Sequence, residues 1–435
     1  MRTIVLLLLL TPGIIQAFSQ GFEPNYDESQ VPFYTLPNPL VCFDGTKVKS
    51  VKKWEEVRRP EILKFFSKNV YGITPPYIFP EISYKIISED RAALDGKAIR
   101  KEVLVEFDKK YPEFNLTILI YLPSHHIGSV PLFLATNIFG NHVISDDPGI
   151  TLTSKWIRNS SKAKVVNNRA TEASRGIRSY RWPIERIIER GYGVATYYSG
   201  DLDRDTCDGY SYGIQKLFAE EGQNEPQPDE WAVLGAWAWG LSRCMDYFET
   251  DDEIDHTKVA VFGHSRTGKA ALWAGAQDER FAVVISNDSG CGGAAISRRQ
   301  FGETIGCITG HSPHWFCANL KKFGDNIGNM PVDQHMLVAL IAPRPVYIAS
   351  ADKDRWADPK GEFLSAKHAG PVYSLFGLKG LGVEAMPEVN QPVFNQIGYH
   401  VREGGHDILP FDWECFMNFT DYHFSNPNRE NHSGR

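Results

Sequence analysis

A serine stands where an apolar strand pattern gives way to a helical one. Val259-Ala260-Val261-Phe262-Gly263-His264-Ser265-Arg266-Thr267-Gly268-Lys269-Ala270 reads as strand, sharp turn, helix. A tight turn of small residues lifts the serine oxygen above a sheet, and the N-terminus of the next helix favours developing negative charge. The common form of such a turn is GxSxG. This one is GxSxxG, and a serine that only caps a helix is the competing reading. Two later segments bear on the choice. Ala351-Asp352-Lys353-Asp354-Arg355-Trp356 follows an apolar strand, and Gly404-Gly405-His406-Asp407 follows the last one. Serine, acid and histidine in that chain order, each past the carboxyl end of a strand, are the order of an α/β-hydrolase. Ser265 would attack an acyl carbon, His406 would take and return its proton, and a carboxylate would hold the imidazole. Arg266, next to the nucleophile, can aim its backbone N–H at the oxyanion.

The elements that must position these groups alternate along the chain. Expected strands are Ile99–Phe107, Leu116–Leu122, Pro131–Thr136, Gly193–Tyr198, Lys258–Phe262, Ala282–Ser286, Pro345–Ser350 and Gly398–Arg402. Expected helices are Glu56–Val70, Trp182–Gly191, Trp231–Tyr247, Arg266–Ala276, Gln334–Ile341, Gly361–Ala369 and Phe411–Tyr422. Wholly apolar strands between amphipathic helices imply a mostly parallel sheet covered on both faces, an α/β three-layer sandwich. Residues 18–55 read as an extended arm, and 147–175 as an inserted surface loop. Residues 18–435 are expected to form one catalytic domain.

Composition narrows the class. The 435 residues are 42% hydrophobic, and 46 basic against 53 acidic side chains leave a charge of −7. That is globular, and it lacks the basic surplus a nucleic-acid partner would ask for. Ile4 to Leu10 is too short to span a bilayer, so residues 1–17 are expected to be a signal peptide and the mature chain to be exported, periplasmic or secreted, with no membrane partner. The seven cysteines form no CxxC pair, which speaks against a zinc site, while an oxidising compartment permits disulfides; an odd number leaves at least one thiol free.

The stretch from Gly263 to Glu303 resembles the bacterial branch of the glucuronoyl esterases, carbohydrate esterase family 15. Gly263-His264-Ser265-Arg266-Thr267-Gly268-Lys269, Asp288-Ser289-Gly290-Cys291-Gly292-Gly293-Ala294, Arg298-Arg299 and Phe301-Gly302-Glu303-Thr304 carry the likeness. Pro313-His314-Trp315-Phe316, Pro331-Val332-Asp333-Gln334-His335 and Trp356-Ala357-Asp358-Pro359 continue it towards His406. The resemblance implies a serine esterase, free of metal and other cofactors, that cleaves the ester between 4-O-methyl-glucuronic acid branches of xylan and lignin alcohols. It also implies a monomer whose partner is that uronic-acid ester. It adds the Arg266 side chain to the oxyanion site and places Lys269, Glu303 and Trp356 on the sugar, with Gln300 or Gln334 as a further polar contact. Without it, Lys269 would read as a solvated helix lysine and Trp356 as core.

Two aspartates compete for the triad. Fungal relatives carry a glutamate where Asp288 stands; some bacterial ones use an aspartate where Asp354 stands. Asp is one methylene shorter than Glu, so Asp354 is the favoured acid and Asp288 a second, structural or assisting carboxylate. Asp358-Pro359 reads as the cap of the next helix. An acetyl-xylan or other small-acyl esterase would keep Ser265 and His406 without needing Lys269, Glu303 and Trp356. A non-catalytic carbohydrate-binding protein would be missing a triad member, and none is missing.

Overall fold

Alternate residues of each inner strand point to opposite faces, and both faces are apolar. On β4 (Val130–Asn137), Leu132 and Leu134 enter one core while Phe133 and Ala135 enter the other. On β6 (Ile254–His264), Val259 and Val261 are divided from Ala260 and Phe262 in the same way. The computed structural model describes residues 23–76 and 82–425; the expected signal peptide lies outside them.

The remaining strands are β1 (Ser83–Ala93), β2 (Ala98–Glu106), β3 (Asn115–Pro123), β5 (Gly193–Tyr198), β7 (Val283–Asn287), β8 (Val346–Ala351) and β9 (Ile397–Arg402). They form one sheet in the order β1-β2-β3-β5-β4-β6-β7-β8-β9. The pairs from β1 through β3 to β5 are antiparallel, and those from β5 to β9 are parallel. The helices are α1 (Val51–Lys53), α2 (Arg59–Phe66), α3 (Ile184–Glu189), α4 (Val233–Phe248), α5 (Arg266–Gln277), α6 (Ile305–His311), α7 (Gln334–Ala339), α8 (Pro359–Leu375) and α9 (Pro410–Phe424). One core takes side chains from α2, α4, α5, α7 and α8; the other takes them from α3 and α9. Trp413 of α9, packed edge-on against Phe133 and Phe262, anchors the second layer; truncating a buried tryptophan of this kind costs about 3–5 kcal/mol. This is the three-layer α/β-hydrolase fold.

Four expectations are corrected. The first helical run starts at Val51, capped by Ser50, rather than at Glu56. Pro60, read as a helix start, lies inside that run. Just before it, Arg59 N–H reaches back to the Trp54 carbonyl in a widened π-turn, which accommodates a ring that would otherwise meet the preceding turn. The strand read from Lys258 begins at Ile254, because Asp255, His256 and Thr257 extend it past the apolar stretch. Strand β1 carried no signal: its solvated edge position needs no apolar alternation, and charged residues there discourage edge pairing. The 147–175 segment is more than a surface loop. Asp147 pairs with buried Arg100 at 2.8 Å. Ile157, Ala163 and Val165 pack with Tyr198, and Arg158 donates to the Asp205 carbonyl at 2.5 Å.

From Asn25 to Pro37 the arm lies along the carboxyl half of the chain. Asn25 O accepts from Gly302 N, Glu28 pairs with Arg299 and Lys360, and Pro37 O meets His335.

Candidate active site

Ser265 stands between β6 and α5 with φ 60° and ψ −129°, a conformation non-glycine residues seldom adopt. Holding it costs about 1–3 kcal/mol, which the surrounding structure must overcome. The local sequence explains how. A Cβ on Gly263 would lie 2.1 Å from the Thr267 carbonyl, and one on Gly268 would crowd Ser289. Thr267, where the common turn has glycine, ties the turn shut: its hydroxyl accepts from His264 N at 3.0 Å and donates to His264 O at 2.8 Å. The close-approach glycine has thus moved one residue on, which accounts for GxSxxG.

His406 sits on the loop after β9, its ring exposed, with Nδ1 2.6 Å from Oδ2 of buried Asp354. Both loops are clasped. Gly404 N donates to Asp352 at 2.7 Å, Lys353 N to Gly404 O, and the Arg402 guanidinium to the carbonyls of Gly405 and Asp407. On one side the His406 ring packs against His264, centroids 4.4 Å apart. Burial, then the neighbouring His406, holds His264 well below the usual histidine range, and its Nδ1 lies 2.6 Å from Asn287 Oδ1.

Of the two aspartates, Asp354 makes the bond to His406 and Asp288 makes none with it. Asp288 has a left-handed backbone (φ 45°), and its Oδ2 lies 3.4 Å from Arg402 and 3.9 Å from His264. Burial, then Glu362 and Asp354, pushes its carboxyl well up. Behind both sits Glu362 on α8, raised to about 8 by burial, its oxygens accepting from Ser350 Oγ (2.6 Å) and Gly290 N (2.9 Å). Asp288, Asp354 and His406 offer donor atoms within 4.8 Å of one another, the one such set among the described residues. Arg402 supplies a cation beside Asp288.

Arg266 opens α5, where the first N–H groups lack helical partners. Its guanidinium lies over the Trp315 ring at 4.6 Å and pairs with Asp205. Asp205 also accepts from the Trp315 indole at 2.7 Å and contacts His314 Nε2 at 2.9 Å. Lys269 is buried, donates to Ser289 O at 2.5 Å and lies 3.9 Å from Glu303. Glu303 meets His311 at 2.8 Å, and the His311 ring lies 6.5 Å from the half-exposed Trp356. Lys269, Glu303 and Trp356 therefore lie close together, Glu303 N donating to Trp356 O at 3.0 Å. Gln300 ends a short turn in left-handed backbone, and no hydrogen bond couples its side chain to Lys269 or Glu303 among the described residues. Gln334 is buried, donating to Gly293 O at 2.6 Å. Asp358 caps α8, as its sequence suggests, and pairs with Arg299.

Sequence reasoning missed Asp205, His311, Glu362 and Arg402 and assigned no role to His314 or Trp315. Asp205 lies in a segment without periodicity, and only the neighbourhood of an acid and a Pro-His-Trp-Phe stretch, distant in the chain, could have hinted at a partner. The seven cysteines are free thiols. No helix among the described residues is long and apolar enough to cross a membrane.

Sheet order and a strained serine at its carboxyl edge define an α/β-hydrolase. Comparison with known proteins refines this. A family model described as glucuronyl esterase of fungi matches residues 226–377. The chain is 48% identical over 435 residues to a carbohydrate esterase from an unknown prokaryotic organism, spanning 98% of this chain and 99% of that one. It is 32% identical over 394 residues to a 4-O-methyl-glucuronoyl methylesterase of Phanerochaete carnosa, spanning 88% of this chain and 80% of the relative. A solved structure of a promiscuous esterase of carbohydrate esterase family 15, from a marine bacterial metagenome, superposes with a TM-score of 0.86 at 50% identity, covering 92% of this chain and 100% of that one. The chain belongs to carbohydrate esterase family 15, the glucuronoyl esterases, and is a carboxylic ester hydrolase.

Proposed function

We propose that this chain hydrolyses the ester between the carboxyl group of 4-O-methyl-glucuronic acid side chains on xylan and lignin alcohols. The observation that carries this reading is the 2.6 Å contact of His406 with Asp354 on the rim that bears the strained Ser265. In this reading Ser265 Oγ attacks the uronoyl carbonyl as His406 takes its proton, and His406 returns that proton to the leaving alcohol. Asp354 holds the ring with Nε2 free to act and stabilises the imidazolium. Arg266 supplies a backbone N–H and a cation to the oxyanion. Water, activated by the same histidine, releases the uronic acid. Lys269 and Glu303 take sugar hydroxyls, Trp356 a sugar face and Gln300 a further polar contact, with Asp288 assisting the triad. The enzyme acts as an exported monomer, periplasmic or secreted.

A second reading, a broader small-acyl esterase, is favoured by the family member described as promiscuous. The two separate on paired substrates. A glucuronoyl esterase should turn over benzyl glucuronate with kcat/KM about 100-fold or more above that for 4-nitrophenyl acetate. Equal rates would favour the broader esterase. Full turnover by Ser265→Ala would remove the nucleophile from both.

A further inference from the structure

Beside Arg266 the fold assembles a second set of groups in relay order. Cys207, between β5 and α4, is exposed. Its Sγ lies 3.4 Å from Nδ1 of His314, and the other ring nitrogen, Nε2, lies 2.9 Å from Oδ1 of Asp205. Burial opposes ionisation of Asp205, but the hydrogen bond from His314, the Arg266 charge and the Trp315 N–H together hold it below the usual carboxylate range. An anion on Nε2 keeps the ring proton there and turns the Nδ1 lone pair to the thiol. Thiol, imidazole and carboxylate in this order are what activates a cysteine nucleophile. Burial pushes the other six thiols up.

We propose that Cys207, with His314 and Asp205, is a second nucleophilic site, separate from Ser265, that takes soft carbon electrophiles such as conjugated enones. The thiol proton passes to Nδ1 of His314, and the sulfur lone pair forms a C–S bond at the β-carbon. The enone π-pair shifts to the α-carbon, which takes the proton back from the imidazolium. Nothing leaves and no oxidant is needed. The site stands whether or not Ser265 acts on uronic-acid esters.

Iodoacetamide is the probe, applied to the full folded chain at pH 6, where an ordinary thiol is almost wholly protonated. A C–S bond forms, the C–I bond breaks, and iodide leaves. Peptide mapping should find Cys207 carbamidomethylated ahead of the other cysteines, at a rate about tenfold or more above that of glutathione. His314→Gln should bring the rate down to that of glutathione, and Cys207→Ser should abolish the fast phase while esterase activity persists. A wild-type rate no faster than glutathione, a rate unmoved by His314→Gln, or a fast phase surviving in Cys207→Ser overturns the proposal. Should His314→Gln not fold, the wild-type rate and Cys207→Ser decide it.

Discussion

Asp354 Oδ2 lies 2.6 Å from His406 Nδ1, although 52 residues separate them. The carboxyl group is buried and the ring exposed, so one partner is fixed inside the fold while the other reaches the surface. Asp352 and Arg402 grip the histidine loop from either side, and the pair is held by two loops rather than by its own hydrogen bond alone.

That relationship sets the first expectation. Asp354→Asn should lower kcat by about 10⁴-fold, because an amide in that place favours the wrong imidazole tautomer. Asp288→Asn should cost about tenfold or less, since Arg402 keeps Asp412 as partner at 2.8 Å. Steady-state kinetics on one uronic-acid ester check both; equal or reversed losses reassign the acid.

Arg266 is held by stacking on Trp315 and by pairing with Asp205. Lysine reproduces the charge but neither the planar stack nor the forked donor. Arg266→Lys should therefore lower kcat by about 10²-fold with KM little changed. A loss confined to KM would place the side chain on the ground-state substrate instead.

Lys269 and Glu303 offer a test of specificity. Lys269→Met should raise KM for a glucuronate ester about tenfold and leave 4-nitrophenyl acetate hydrolysis near wild type. If both substrates suffer alike, the lysine serves only to hold Ser289 O.

Glu362 makes stability depend on pH. Its folded-state value of about 8 lies above the ordinary 4.5, chiefly through burial. Between those values the folded chain holds a proton the unfolded chain has lost, so this group's contribution to stability declines as pH rises from about 4.5 to about 8 and is level above. Glu362→Gln removes that term, and its Tm relative to wild type should climb between pH 5 and pH 9. A constant Tm difference across that range would refute the assignment.

Much of the site was legible because an α/β sheet puts its functional groups past the carboxyl ends of strands. Ser265, Asp354 and His406 each follow an apolar run and a turn, so order along the chain stood in for proximity. The parallel core was legible for a related reason: strands buried on both faces, such as Gly193–Tyr198, are mostly apolar. Strand β1 was not, since an edge strand obeys solvent rather than a core. The helical run from Val51 was not either, because Pro60 reads as a start and π-turns leave no mark in residue order.

Residue types and spacing by themselves determined the fold class and put Ser265 and His406 past strand ends, because strand, turn and helix are short-range patterns whose chemistry is local. Tertiary structure alone decided which carboxylate meets His406, that Arg266 is tethered to Asp205 and Trp315, and that Cys207 lies against His314. Those outcomes turn on distances of a few ångströms between segments tens to more than a hundred residues apart, and only packing sets such distances.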